Sequence, residues 1–273
     1  MTTVAGSLST SPATAPFGDG GPATAARLNA PGALATDSAG NLYIADTGNN
    51  RVRKVSPQGT ITTFAGTGNS AVNCTETGGY SGDGGPATSA ALKCPRGISI
   101  DRAGNVYIAD SENYVIRKVT PDGNISTFAG KNTQGYSGDG GQARNAEFTP
   151  SSLAIDAVGN LFVTDTFASV IRKISADGAI STFAGNGLKG YAGDGGPASK
   201  ASITNPAGIA LDSTGNVFIA DSGNNVVRKV GVDGMITTVA GNYSLAYQYS
   251  GDGGPATGAT FQNPGAVAVD SSG

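Results

Sequence analysis

The tetrapeptide Gly-Asp-Gly-Gly occurs five times, beginning at Gly18, Gly82, Gly138, Gly193 and Gly251, so one block recurs every 55 to 64 residues. A fixed period of this size marks a repeat architecture and limits the fold before any single residue is considered. A chain of 273 residues might hold two domains, but here every segment belongs to one array. That array runs over residues 1–273, with repeats at about 18–66, 82–130, 138–185 and 193–241 and an incomplete copy at 251–273.

Each complete repeat offers four short strands. The first is GALATD (32–37), GISIDR (97–102), SLAIDA (152–157) or GIALDS (208–213), and the second is NLYIAD (41–46) with its copies. The third is RVRKV (51–55), VIRKV (115–119), VIRKI (170–174) or VVRKV (226–230), and the fourth is TITTFAG (60–66) with its copies. Turn chemistry separates them. Asp37 to Gly40 suits a type I turn followed by a left-handed glycine, and Asp-Gly pairs such as Asp122-Gly123 mark the hairpin between third and fourth strands. The second strand is apolar at consecutive positions, as a strand covered on both faces should be. Four antiparallel strands per ~55 residues describe the blades of an all-β propeller. Coils of a β-helix are shorter, ~20–30 residues.

The expected fold class is thus a β-propeller of four-stranded antiparallel blades, four of them complete, with stray strands at both ends. Residues 2–6 (TTVAG) read as a last strand and 265–270 (GAVAVD) as a first strand without its successors. A first strand cannot bond to a fourth across that gap, so the sequence reads as part of a longer array whose remaining blades lie elsewhere.

Composition narrows the function. The formal charge is −3 with no basic run, which leaves no footprint for nucleic acid. No apolar stretch of ~18 residues is present for membrane insertion. Residues 1–10 lack the basic start and apolar run of a signal peptide, so an export signal would lie outside this chain. The chain contains no His, which excludes His-based triads, His general bases and His metal sites. No cofactor motif is evident.

At NLYIADTGNNRVRKV (41–55), preceded by LNAPGALATD (28–37), the chain resembles the NHL-repeat family, and the likeness extends over nearly all of it. The Gly-Asp-Gly-Gly-Pro-Ala opening is similar to the variety found in large bacterial extracytoplasmic proteins and in teneurin-like adhesion proteins. The resemblance implies a propeller, usually of six blades, that binds partners. Some relatives bind RNA through a basic face and others are metal-dependent lyases with His ligands; both features are missing here. The family's Arg after Asn-Asn is Arg51 in the first repeat but Val115, Val170 and Val226 in the others.

Several sets of residues recur. Asp19, Asp83, Asp139, Asp194 and Asp252 sit in the Gly-Asp-Gly-Gly loop. There Pro22 suits the first turn of a short helix, whose N–H groups Asp19 could accept itself. The reading is a structural loop; calcium needs six to eight oxygens, and this loop offers too few. Asp46, Asp110, Asp165 and Asp221 end the second strand, either as turn caps and partners of the nearby Arg or as ligand-facing carboxylates; they are the candidate ligand set. In the usual propeller path both sets share one face, which should be acidic, while Asp37, Asp101, Asp156 and Asp212 lie on the other. Arg53, Arg117, Arg172 and Arg228 are read as inter-blade bridges, with the following Lys reaching solvent. Phe17, Tyr80, Tyr136, Tyr191 and Tyr249 form a recurring aromatic, either a packing plug or a binding rim.

Cys74 and Cys94 occur only in the second repeat, Cys74 in a loop longer than its counterparts and Cys94 at the loop's far foot. They suggest a disulfide pinning the excursion, and with it an oxidising, secreted, periplasmic or cell-surface location. The functional expectation is a non-enzymatic binding scaffold of bacterial type for a protein or glycan partner. The alternatives are a carboxylate- or metal-dependent propeller hydrolase or lyase, or the sensor domain of a membrane receptor. Catalysis would need unlike residues converging at one site, hence a break in the repeat. The Cys-bearing insertion is the clear break in the sequence.

Overall fold

A computed structural model describes residues 2–7, 17–68, 74, 79–245 and 250–270. Each complete repeat forms one antiparallel sheet with its strands in chain order. The first sheet contains β1 (Ala33–Thr36), β2 (Leu42–Asp46), β3 (Arg51–Val55) and β4 (Ile61–Ala65). The second contains β5 (Pro95–Ile100), β6 (Val106–Asp110), β7 (Val115–Val119) and β8 (Ile125–Ala129). The third contains β9 (Pro150–Ile155), β10 (Leu161–Asp165), β11 (Val170–Ile174) and β12 (Ile180–Ala184). The fourth contains β14 (Pro206–Leu211), β15 (Val217–Asp221), β16 (Val226–Val230) and β17 (Met235–Ala240), with the two-residue β13 (Gly196–Pro197) added outside β17. The chain divides into two compact units, Met1–Phe128 and Ala129–Gly273.

The second strand of each sheet is apolar at successive positions because both its faces are covered. β6 and β10 are buried along their whole length. Within the first unit, Tyr43, Ala45, Val52 and Ala65 of the first sheet pack against Ile98, Val106, Ile108 and Ile125 of the second. Within the second unit, Phe162, Ile171 and Ala184 meet Ile209, Val217 and Ile219. The other face of the first sheet carries a smaller cluster of Ile44, Val55 and Ile61 with Ala5 and Leu28.

The Gly-Asp-Gly-Gly segment folds back along the outer strand of its own repeat. Gly20 donates its N–H to the Ile61 carbonyl at 2.8 Å and Gly21 accepts from Ile61 at 3.0 Å; Gly84 and Gly85 do the same with Ile125. This covers part of an otherwise open strand edge. The short 3-10 turn that follows then bonds the preceding outer strand, as in Gly66 N–H to the Ala87 carbonyl at 2.9 Å.

A β-bulge recurs between third and fourth strands. Val52 faces Ala65 but Arg53 faces Thr63, and the same slip occurs at Arg172 and Arg228. One extra residue re-aims the side chains that follow it. Phe64 thereby meets Tyr43 edge-on at 4.9 Å, while Thr63 turns toward the Gly-Asp-Gly-Gly loop.

The two end segments read as strands do not form them. Residues 2–6 and 265–270 have no strand pairing.

Candidate functional site

In each complete repeat the third strand places an arginine with no exposed side chain beneath the Gly-Asp-Gly-Gly loop. Nη2 of Arg53, Arg117, Arg172 and Arg228 pairs with Asp19, Asp83, Asp139 and Asp194, at 2.6, 2.7 and 2.5 Å in the last three. Nη1 of the same residues lies 3.7, 3.7, 3.7 and 3.4 Å from Asp46, Asp110, Asp165 and Asp221. Above the guanidinium lies the recurring aromatic: Tyr80, Tyr136 and Tyr191 have ring centres 5.1, 4.9 and 5.0 Å from it. Each of these Tyr hydroxyls also meets a threonine of the outer strand, Thr127, Thr182 or Thr238.

Two sequence expectations change here. The arginines do not bridge neighbouring blades: both carboxylate partners of each belong to its own repeat, because the Gly-Asp-Gly-Gly loop folds back over its own sheet. Asp19 does not cap the short helix after Pro22; it bonds Arg53 and Thr63 instead, and that turn has no side-chain cap. The lysine beside each arginine leans over an aromatic ring of the second strand, as Lys54 does at 5.3 Å from Tyr43.

Asp46, Asp110, Asp165 and Asp221, the candidate ligand set, have no exposed surface. Each caps a backbone N–H 16 or 17 residues back in sequence: Asn29, Lys93, Thr149 and Thr204 respectively. In three of them an asparagine completes the carboxylate. Asn49 donates to both oxygens of Asp46, while Asn113 and Asn224 donate to Oδ2 of Asp110 and Asp221 at 2.9 and 2.8 Å. Burial pushes these carboxyls up, to about 7 for Asp110 and about 6 for Asp165 and Asp221, against the opposing pull of hydrogen bonds and arginine. The loop-face set is half-buried to exposed, and its charge is offset by the arginine below. Asp19, Asp83, Asp139 and Asp194 are thus each ion-paired within their own repeat.

On the opposite turns Asp37, Asp101, Asp156 and Asp212 each hold two backbone N–H groups and an Asn side chain, such as Ala39, Asn41 and Asn41 Nδ2 for Asp37. The following Gly40 has φ +81°, in the left-handed region. For Asp101, burial is outweighed by Asn105, Tyr107 and the turn N–H groups, which hold the carboxyl below its usual range.

Cys74 and Cys94 form a disulfide with Cα atoms 5.5 Å apart. Cys94 adopts a left-handed φ of +49°, as do Ala30, Asn205 and Asn263 at the same place in other repeats. Tyr249 lies outside the described residues. Among the described residues no group of three or more His, Cys, Asp or Glu is placed to hold a metal.

One break in the symmetry is absent from the expectations above. Where the other repeats have Asn49, Asn113 and Asn224, the third has Ala168, inside Thr166-Phe167-Ala168-Ser169. The 3-10 turn found there in the other sheets is replaced by an ordinary turn, and the capped N–H moves one residue along, to Thr149. The sequence signal was a missing asparagine among four aligned copies.

Sheets of four antiparallel strands, joined in chain order and tied edge to loop, define a β-propeller built from repeats. A model of the teneurin NHL domain matches residues 57–137 and 187–250, more than half of the chain, and a model of the NHL repeat matches residues 28–55. The chain belongs to the teneurin NHL domain family. Teneurin-4 of Mus musculus is 31% identical over 86% of this chain and 10% of its own length; Teneurin-3 of Danio rerio is 32% identical over 76% and 8%. The chain thus spans about a tenth of the length of the curated relatives it matches. Among solved structures, an auxiliary nutrient binding protein from Bacteroides ovatus superposes with a TM-score of 0.57 at 14% identity, covering 92% of this chain and 67% of that one. Its likeness is one of fold.

Proposed function

We propose that this chain is a non-enzymatic interaction scaffold that presents its Asp- and Tyr-bearing loops to a protein or glycan partner outside the cytoplasm. The observation that carries it is the fate of the ionisable groups. In every complete repeat the arginine and the strand-end aspartate are buried, and the arginine is also ion-paired to the partly exposed aspartate of its loop. A hydrolase or lyase would need such groups to converge, free and unlike one another, at one place. What remains accessible is the aromatic rim, with Tyr80 and Tyr136 40% and 46% exposed. Tyrosine supplies large, stiff contact area at low entropic cost. The disulfide supports a location in an oxidising compartment. The teneurin relatives support the interaction-scaffold reading.

The test is an array of extracellular protein domains and glycans probed with the chain and with a Tyr80→Ala/Tyr136→Ala/Tyr191→Ala variant. Saturable binding that the variant loses, at unchanged melting temperature, is the expected result. Turnover of ester, lactone or glycoside substrates abolished by Asp110→Asn would move the chain to the enzyme class instead.

A further inference from the structure

In the second and fourth sheets one amide nitrogen ties two elements together. Asn113 Nδ2 donates to the Gly79 carbonyl at 2.7 Å and to Asp110 Oδ2 at 2.9 Å; Asn224 Nδ2 donates to the Gly190 carbonyl at 2.7 Å and Asp221 Oδ2 at 2.8 Å. The third sheet keeps the surroundings. Gly135 precedes Tyr136 as Gly79 precedes Tyr80, and Arg172 holds Ser137 and Asp139 as Arg117 holds Ser81 and Asp83. The amide itself is gone, because Ala168 stands in its place. Asp165 Oδ1 accepts from Thr149 and Ala168 N–H groups, but Oδ2 has no hydrogen-bond partner although the residue is 0% exposed. Arg172 Nη1, 3.7 Å from that oxygen, is also without one.

The position is also more open than its counterparts. Asn49, Asn113 and Asn224 are buried, whereas Ala168 is partly exposed and the adjoining Phe167 is 56% exposed. Phe167 replaces Gly48, Glu112 or Gly223, so in this sheet alone among the four an aromatic directly precedes the place of the lost amide.

We propose that Asp165, Gly135 and Arg172 of the third sheet form a receptor for a primary carboxamide, the side chain of an asparagine or glutamine in a bound peptide, with Phe167 packing against its stem. The ligand class follows from what the same fold uses elsewhere. An amide NH2 group satisfies a carboxylate and a carbonyl together, as Asn113 and Asn224 do. Its carbonyl oxygen can accept from the unpartnered Nη1 of Arg172. An ammonium would face the guanidinium and a carboxylate would face Asp165, so a neutral group carrying both donor and acceptor fits best. This deepens the scaffold reading, and depends on it only for the molecule that carries the amide.

Two-dimensional 15N–1H spectra of the chain at pH 8, where Asp165 with its value near 6 is ionised, read the site directly. Acetamide is expected to shift the amides of Ala168 and Ser169 saturably. N,N-dimethylacetamide, with no N–H, leaves them unmoved. Ala168→Asn, which supplies the amide from within, weakens acetamide binding at least tenfold, and Ala168→Leu, which fills the space without a donor, does the same. Equal shifts with the dimethyl amide, equal shifts in both variants, or no saturable shift overturns the proposal. Capped asparagine (N-acetyl, N-methylamide) should bind more tightly than acetamide and lose that advantage in Phe167→Ala. Acetamide binding without that advantage overturns the peptide as its source. Loss of all array binding with acetamide binding retained sinks the scaffold reading alone.

Discussion

Arg117 carries a guanidinium group, yet its side chain has no exposed surface. It remains buried because charge and hydrogen bonds reach it from several sides: Asp83 and Asp110, the Ser81 and Ala91 carbonyls, and the face of Tyr80. A pair of this kind contributes little net stability against a well-packed apolar replacement, but breaking it by removing one partner costs about 3–5 kcal/mol. Arg117→Met should therefore lower the urea unfolding free energy by about that amount, leaving Asp110 buried and unpaired. Arg117→Met with Asp110→Asn should lose clearly less than Arg117→Met alone, since no charge is then stranded. A double variant at least as unstable as the single one would show that the arginine acts by packing rather than by charge. The regular spacing of these arginines was legible in the sequence, but their partners were not. Period-2 alternation says which face a strand residue takes. It does not show that a loop 34 residues earlier, as from Asp83 to Arg117, folds back over that face.

The Gly-Asp-Gly-Gly loop shows what the repeated glycines are for. A Cβ on Gly82 would lie 2.6 Å from the Ala90 Cα, and the residue has φ +91°. Gly84 has φ +82° but nothing within 4 Å of its would-be Cβ. Gly84→Ala should cost only the left-handed backbone, about 1–2 kcal/mol, whereas Gly82→Ala must also displace backbone. Equilibrium unfolding should rank Gly82→Ala as the more damaging of the two; equal losses would mean that conformation alone selects these glycines. The disulfide belongs to the same scale. It closes a separation of 20 residues, for which the chain-entropy estimate is about 3 kcal/mol. Cys74→Ser/Cys94→Ser should lose about 2–4 kcal/mol, and the unreduced chain should take up no thiol reagent, even when denatured. The four strands and the Asp-Gly turns could be read from local chemistry, because each is written within a few adjacent residues, and the cysteine pair because its two members are the chain's only cysteines. The bulge at Arg53, the strandless ends and the altered third loop could not, since each depends on what a distant segment supplies or withholds.

Two sets of carboxylates have opposite pH behaviour. Asp37, Asp101, Asp194 and Asp212 are held below their ordinary range in the folded state; for the first three burial opposes the shift, and it is outweighed by Asn41, Asn105 and Thr238 with their neighbouring donors, while Asn216 is the main cause at Asp212. Their stabilising effect is present above the unfolded value near 4 and disappears as pH falls below it. Burial does the reverse to Asp110, Asp165 and Asp221, raised to about 7, 6 and 6. Between pH ~4 and ~7 the folded chain therefore holds protons on these three that the unfolded chain has released, and folding stability must decline over that window. With no histidine in the chain, no imidazole titration overlays this trend. Melting temperature is accordingly expected to be highest near pH 5, to drop steeply toward pH 2, and to fall more gradually from pH 5 to pH 8. Ala168→Asn, which gives Asp165 a donor for its ionised form, should flatten part of the decline on the neutral side. A melting temperature that rises steadily from pH 5 to pH 8 would mean that the buried arginines keep these carboxylates ionised, and that Coulomb attraction, rather than burial, sets their state.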